Sequence, residues 1–543
     1  MGLRPLAISA VAAAAAALLN SCATVAPVTP FAPDMTAKAP VLSGYGRVDF
    51  RITTKSPEAQ ALFNQAVLQA YAFNEAAAVR AFKAALAQDA GCAMCAWGVA
   101  WQLGPNINNV DRDNVPEAIK YIDYALKHLD GATPRERALV ESLAVRYAHE
   151  STARETAPLM AERCALAKDD QPKIHPLDEA YADRMRKIVA QYPDDANVMS
   201  LYAEAEFIVA PDDQPWDKAG KPSGHLGEVA DRIEQLLARN PDHTGLNHYM
   251  VHVLDAASVA PRALAAADRL GTLAPASPHL LHMPAHIYIN VGRFEDASRV
   301  NDQAVAADVV LADAEKAQGF EPSKDWRRHD AHFLWYAAMT AGQEKDALDA
   351  ADTIAQVTAK SDNNFGEYAR SLHLIALLHF QRWNAVIESP KPAGEKGVAQ
   401  AFWLYARGVA NARTGHVEEA TALLAQLVPV AAQVRERDAK RKRTVAMMDY
   451  TAAQLESEIA LARGDMKAAI AAQSKAVDAT ANLDDTEPPM MGDVAQTMLG
   501  DMQSKAGLWA DAEATYRKAL ADRPGHPLAQ RGLREALAAQ KKA

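Results

Sequence analysis

The chain has 543 residues, with 57 Lys and Arg against 68 Asp and Glu, a net charge of -11 and a pI near 5.8. That balance excludes a nucleic-acid-binding surface, and only four cysteines exclude a disulfide-stapled scaffold. The length suits about three ordinary domains, or one long repeat array.

The N-terminal segment reads as an export signal over residues 1–21. Arg4 precedes an apolar run from Leu6 to Leu19 that is too short and too alanine-rich to be a good membrane span. The run closes in Leu19-Asn20-Ser21-Cys22, which resembles the bacterial lipobox, whose cysteine becomes the lipidated first residue. An ordinary secretory signal is the alternative. The resemblance implies a chain held to a membrane by lipid at Cys22 alone. Ala23 stands where an inner-membrane retention aspartate would sit, which implies the outer membrane, facing the periplasm. Over residues 22–48, Pro27, Pro30, Pro33 and Pro40 recur among small residues, the composition of a semi-extended tether.

From residue 49 to 543 the pattern is helical, with no β-like alternation of useful length. Ala78, Phe82 and Ala85 mark a first hairpin turning near Asn74. Trp97 and Gly98 open a second, whose later helix carries Ala118, Ile122 and Ala125; the insertion 104–109 (GPNINN) separates its helices. Helices follow over 135–149, 180–192 and 196–209, then a long loop over 210–224. The two loops are expected on one rim, as a lid or as solvated insertions. Later hairpins turn at Gly292, Gly342, Gly415 and Gly464, and near Arg382-Trp383, where glycine is missing. Pro275, Pro390 and Pro524 end second helices. The basic run Arg435 to Arg443 reads as a solvated helix face or loop.

The last copy is the fullest. Leu499, Gly500, Gly507, Ala512, Tyr516, Ala519 and Pro524 fall at the signature places of the roughly 34-residue tetratricopeptide repeat. Small residues there let two helices approach closely, and the aromatic fills the gap beside them. The expected fold class is therefore all-α, an α-α superhelix of antiparallel helix pairs forming one tetratricopeptide-like solenoid over 49–543.

Seven of the 16 histidines crowd between Asn247 and Tyr336. They are His248 and His252, then His279, His282 and His286, then His329 and His332. Spacings of three, four and seven place each set on one helix face. Aligned by their turn glycines, all three sets fall on first helices, at places that face the concave groove. Adjacent helix axes lie about 8–10 Å apart, so imidazoles from neighbouring repeats can meet. The functional reading is a transition-metal site, with copper, zinc or iron as candidates, because an imidazole pair four residues apart chelates from one face. Packing histidines bonded to backbone carbonyls are the bland alternative. Met250 and Met283 would tilt the choice toward copper but suit simple packing as well. Glu204, Asp255 and Asp330 are candidate carboxylates to orient a ligand ring.

Cys92 and Cys95 form a CxxC motif, read either as a redox pair or as a buried structural disulfide. Cys164 reads as a buried hydrophobe. Arg327 and Arg328 could offer guanidiniums to an anionic ligand beside the histidines, with Tyr336 as a further contact. No Gly-x-Ser-x-Gly elbow, phosphate-cradling loop or His-Glu-x-x-His motif occurs.

At HLLHMPAHIYINVGRFEDA the chain resembles a bacterial group of tetratricopeptide proteins. The matching blocks here are Cys92-Ala93-Met94, Trp97-Gly98, Leu103 to Asn108, Asn247-His248-Tyr249 with His252, His279 to Tyr288, and His329 with His332-Phe333. That group continues an Asp-Glu-Pro-Pro segment with aromatics; this chain has Thr486-Glu487-Pro488-Pro489-Met490-Met491 instead. The resemblance implies the fold and singles out residues, but supplies no reaction. The leading reading is an envelope-anchored scaffold whose concave groove takes an envelope protein, a peptide or a small ligand, with a histidine-bound transition metal in that groove. The alternatives are a metal-dependent oxidoreductase or hydrolase, and a metal carrier.

Overall fold

A computed structural model describes residues 31–541 apart from 166–171, 213, 324, 393–396, 482, 484–486 and 491–493. The export signal and Cys22 lie outside the described residues. The regular elements among the described residues are helices, joined by turns and two isolated bridges, Asn106 to Asn109 and Trp216 to Pro222. Successive helices pack on one another along the chain, so the all-α hairpin architecture holds. No described helix is long and apolar enough to cross a membrane. The described residues divide into two compact units: one holds those within 31–41, 48–213 and 224–232, and the other those within 42–47, 214–223 and 233–541.

The first unit is built on aromatic rings between hairpins. The helices Pro57–Tyr71 and Glu75–Gln88 turn at Phe73, whose φ of 49° supplies the left-handed step that glycine usually makes. Phe63 meets Phe82 edge to face at 5.3 Å, and Trp97 stacks on Trp101 at 5.4 Å. A Cβ on Gly98 would stand 2.3 Å from the Phe82 ring, so only glycine lets the helix Ala93–Leu103 come this close. Cys92 and Cys95 are disulfide-bonded and fully buried at the start of that helix. Cys164, expected in the core, is instead exposed. It sits at the end of the helix Ala153–Ala165, on a stretch too polar to form a core face. Glu204 is buried and accepts a hydrogen bond from Trp101 Nε1 at 2.8 Å, so it serves an indole rather than a histidine.

In the second unit, residues 42–47 pack as a strap, although their composition suits a free tether. Ala276 N–H donates to Gly44 O, Arg47 N–H donates to Thr244 Oγ1 and Tyr45 is buried. The hairpin turns fall where glycines punctuate the sequence, with positive φ at Gly292, Gly342, Gly415, Gly464 and Gly507. At the turn near Arg382, Gln381 takes the left-handed place with φ of 58°. Near the C-terminus Tyr516 is buried between Gly500 and Gly532, where added Cβ atoms would stand 2.6 and 2.2 Å from its ring. This is the packing that the last repeat's signature demands. Within the unit the chain curls back on itself. The Gly292 turn touches the Gly525 turn so closely that a Cβ on Gly292 would lie 2.6 Å from Gly525 Cα.

Two consequences are measurable. Gly342 has φ of 77° with nothing within 4 Å of an added Cβ, so Gly342→Ala should cost about 1 kcal/mol, the left-handed penalty alone. Gly292→Ala should cost more, on the order of 2–4 kcal/mol, because backbone must also move. Equal losses in urea unfolding would contradict the contact. Separately, burial pushes the Glu204 carboxyl up to about 7, against the lowering influence of Arg146 and the Trp101 hydrogen bond. A carboxyl whose folded pKa lies above its unfolded value of 4.5 stabilises fully below that value, and its contribution fades as pH rises to about 7. Glu204→Gln keeps an acceptor for Trp101 and does not ionise. Its stability relative to the parent should therefore rise by about 3 kcal/mol between pH 4.5 and pH 8; a pH-independent difference would contradict the assignment.

Candidate metal centre

Three stretches of the second unit carry the cluster. His248 and His252 lie one turn apart on the helix Thr244–Val253. His279, His282 and His286 lie across two short helices, Pro278–His282 and Pro284–Asn290. A single helix was the expectation; Pro284 lacks an N–H and its ring displaces the preceding turn, so the helix breaks at Met283 and restarts. His329 stands in the first turn of the helix Arg327–Ala341.

These elements gather six of the seven histidines into two triads. His248, His252 and His279 form one, His282, His286 and His329 the other, and within each the ligand-capable nitrogens all lie within 4.8 Å of one another. His248 Nε2 is 3.0 Å from His252 Nε2 and 3.1 Å from His279 Nε2. In the second triad His282 Nε2 and His286 Nε2 are 3.0 Å apart, and the His329 ring centroid is 4.7 Å from that of His282. Nitrogens bound to one tetrahedral ion at about 2.0–2.1 Å would be separated by roughly 3.3 Å, close to these spacings.

The tautomers of the second triad are set from outside. His282 Nδ1 is 2.7 Å from Asn301 Oδ1, and Asn301 Nδ2 already donates to Ala297 O, so the amide oxygen faces the ring and His282 must donate. His286 Nδ1 donates to Asp255 Oδ2 at 2.7 Å. In neutral rings both Nε2 atoms then carry lone pairs, aimed at each other across 3.0 Å. Such opposition is unfavourable unless a cation, either a proton or a metal ion, lies between them. Asp330 is fully buried, with Oδ1 3.6 Å from His282 Nδ1 and neither carboxylate oxygen hydrogen-bonded.

Burial, reinforced by neighbouring imidazoles, holds His252, His279 and His282 well below the usual histidine range, which favours the neutral imidazole, the form that ligates metals. For His286 burial acts in the same direction, but the Asp255 carboxylate outweighs it and raises the pKa. Burial also holds the Asp330 carboxyl well above its ordinary value, with the charges of Asp308 and Asp325 adding to it.

A cavity of about 410 Å³ reaches the second triad, with His286, Asp255, Asn290, Phe333, Glu487 and Trp216 among its lining residues. Phe333 packs on three imidazoles, its centroid 4.6 Å from His282 and His286 and 5.0 Å from His329. Trp326 lies 4.7 Å from His279. Asp255, His286 and Glu487 form a third ligand-capable group; Asp255 holds the Nδ1 side of His286, the side opposite the triad.

Four residues expected at the site lie elsewhere. His332 sits among Trp335, Phe365 and Tyr368 with its Nε2 unbonded, and burial together with Arg328 pushes it down to about 3. It is three residues from His329, which turns it about 60° away on the helix and toward the next hairpin. Arg327 pairs with Asp325, and Arg328 lies over the Phe365 ring at 5.0 Å, so neither lines the cavity. Tyr336 is buried with its ring 6.4 Å from Phe294. Met250 and Met283 are buried packing residues. Asn301, Trp326 and Glu487 are additions that sequence reasoning did not select. Phe333 and Glu487 did stand inside quoted motif blocks, which is the one signal that could have pointed to them.

No protein-family model matches the chain, and no curated protein matches it. Among solved structures it is similar to the TPR domain of P58(IPK), with 11% identity, a TM-score of 0.21, and coverage of 89% of this chain and 98% of that one. It is also similar to the APC/C hetero-tetramer Cut9-Hcn1, with 10% identity, a TM-score of 0.24, and coverage of 89% and 91%. The histidine cluster stands on its own geometry.

Proposed function

We propose that the protein is a helical-hairpin metalloprotein that binds a transition metal, copper, zinc or iron, through its clustered histidines beside a ligand-sized cavity. The observation that carries this is the close approach of His282 Nε2 and His286 Nε2, 3.0 Å apart, with the Nδ1 of each ring held by Asn301 and Asp255. Rings held from behind by an amide and a carboxylate are the usual arrangement around a bound ion. A protein-docking scaffold remains the rival use of a helical array. The second unit's interior, however, is partly filled by its own chain: Pro488, Pro489 and Met490 are buried, and the Tyr368 hydroxyl donates to Met490 O. That filling favours a small-ligand cavity over an open peptide groove.

Chain purified without chelator should carry at least one transition-metal ion. His282→Ala and His286→Ala should lower metal affinity at least ten-fold with little change in circular dichroism, since losing one of three ligands removes much of the chelate. His332→Ala, outside both triads, should leave metal content unchanged. Equal metal content in all three variants, or none in the parent, would overturn the reading.

We also propose that the chain is exported and anchored through lipid on Cys22, a reading supported by Leu19-Asn20-Ser21-Cys22. Cells given labelled palmitate should label the parent chain and not Cys22→Ser, which should leave the membrane fraction. A parent chain that takes no label would contradict the anchor.

A further inference from the structure

We infer that the cluster is dinuclear: each triad holds one ion, and the two ions share a single small exogenous ligand that enters from the cavity. This rests on the metal-binding reading above and adds the number of ions and the class of ligand. The first argument is ligand count. Six imidazoles exceed what one tetrahedral ion accepts, and three per ion is the number that leaves a coordination position open. The six rings do not gather about one point; they form two groups of three, within each of which one nitrogen per ring lies within 4.8 Å of the others.

The second argument is adjacency. His279 and His282 belong to different triads, yet they are three residues apart on the same short helix and their ring centroids are 6.1 Å apart. The Trp326 ring lies beside His279 of one triad and His329 of the other, with centroids 4.7 and 6.2 Å away. Such closeness is what two-metal sites need to clamp one ligand.

The third argument is charge. Six neutral imidazoles bring none, and a buried site tolerates little net charge. Asp255 accepts from the His286 ring at 2.7 Å. Two bound ions would carry more positive charge than that carboxylate offsets, and a shared small anion entering from the cavity would make up the difference. An all-imidazole donor set suits copper in both oxidation states. His286 and Phe333 line the cavity, so a diatomic or a small anion reaches the second triad first.

The test uses the full chain loaded with copper. Titration with copper(I) under anaerobic conditions should give two ions per chain. After oxidation and addition of azide as the bridging probe, most of the copper should be silent in electron paramagnetic resonance, because a shared bridge pairs the two spins. His252→Ala, at a partly exposed position of the first triad, should keep one copper and show an ordinary mononuclear signal. One copper in the parent chain would overturn the dinuclear site and leave the metal-binding reading intact. Two coppers with full, uncoupled signals would overturn the shared ligand. No copper, zinc or iron bound at all would remove both readings together.

Discussion

Two imidazole nitrogens held face to face, 3.0 Å apart, are the constraint on which the site in the second unit depends. Asn301 fixes the proton of His282 on Nδ1, and Asp255 does the same for His286. Each ring therefore directs its Nε2 into the same small, buried volume beside the cavity. Folding alone does not favour such an arrangement. Apolar side chains of similar volume would pack there at lower cost, and burying polar groups without partners is expensive. The arrangement would become favourable once a cation, a proton or a metal ion, completed it.

The helical array makes that readiness achievable. Each hairpin needs only a left-handed turn and a small residue where helices touch, so its remaining positions can vary freely. Three neighbouring first helices then offer side chains to one interior volume. The break at Pro284 moves His286 out of strict register with His279, which lets one segment serve both triads. The close meeting of Gly292 and Gly525 and the buried segment around Met490 narrow that volume to a cavity suited to small molecules.

Much of this was legible in the residues themselves. Glycine turns, proline stops and the Tyr516 packing follow from local stereochemistry, which a sequence displays directly. The spacing of four within His248/His252 and within His282/His286 let those pairs be read in advance as neighbours, and the structure brings each pair's Nε2 atoms to 3.0 Å. What failed depended on angle or on distant chain. His332 follows the same periodicity, but a turn of about 60° sends it to an aromatic pocket. Asn301 comes from the following helix and leaves no trace in the histidine motif. The Glu204 carboxylate is short and buried, so its partner was decided by the Trp101 indole across the first unit, which no spacing rule reveals. Residues 42–47 look like a tether by composition, yet two backbone hydrogen bonds and Tyr45 hold them in place.

The central claim is that the opposed imidazoles enclose metal rather than a bare proton. Anomalous diffraction from crystals of chelator-free protein, collected across the copper, zinc and iron edges, reads this directly. A peak equidistant from His282 Nε2 and His286 Nε2, at ligand distance, is the predicted result. No peak there, with a single proton bridging the two nitrogens, or a metal bound instead between Asp255 and Glu487, would contradict it.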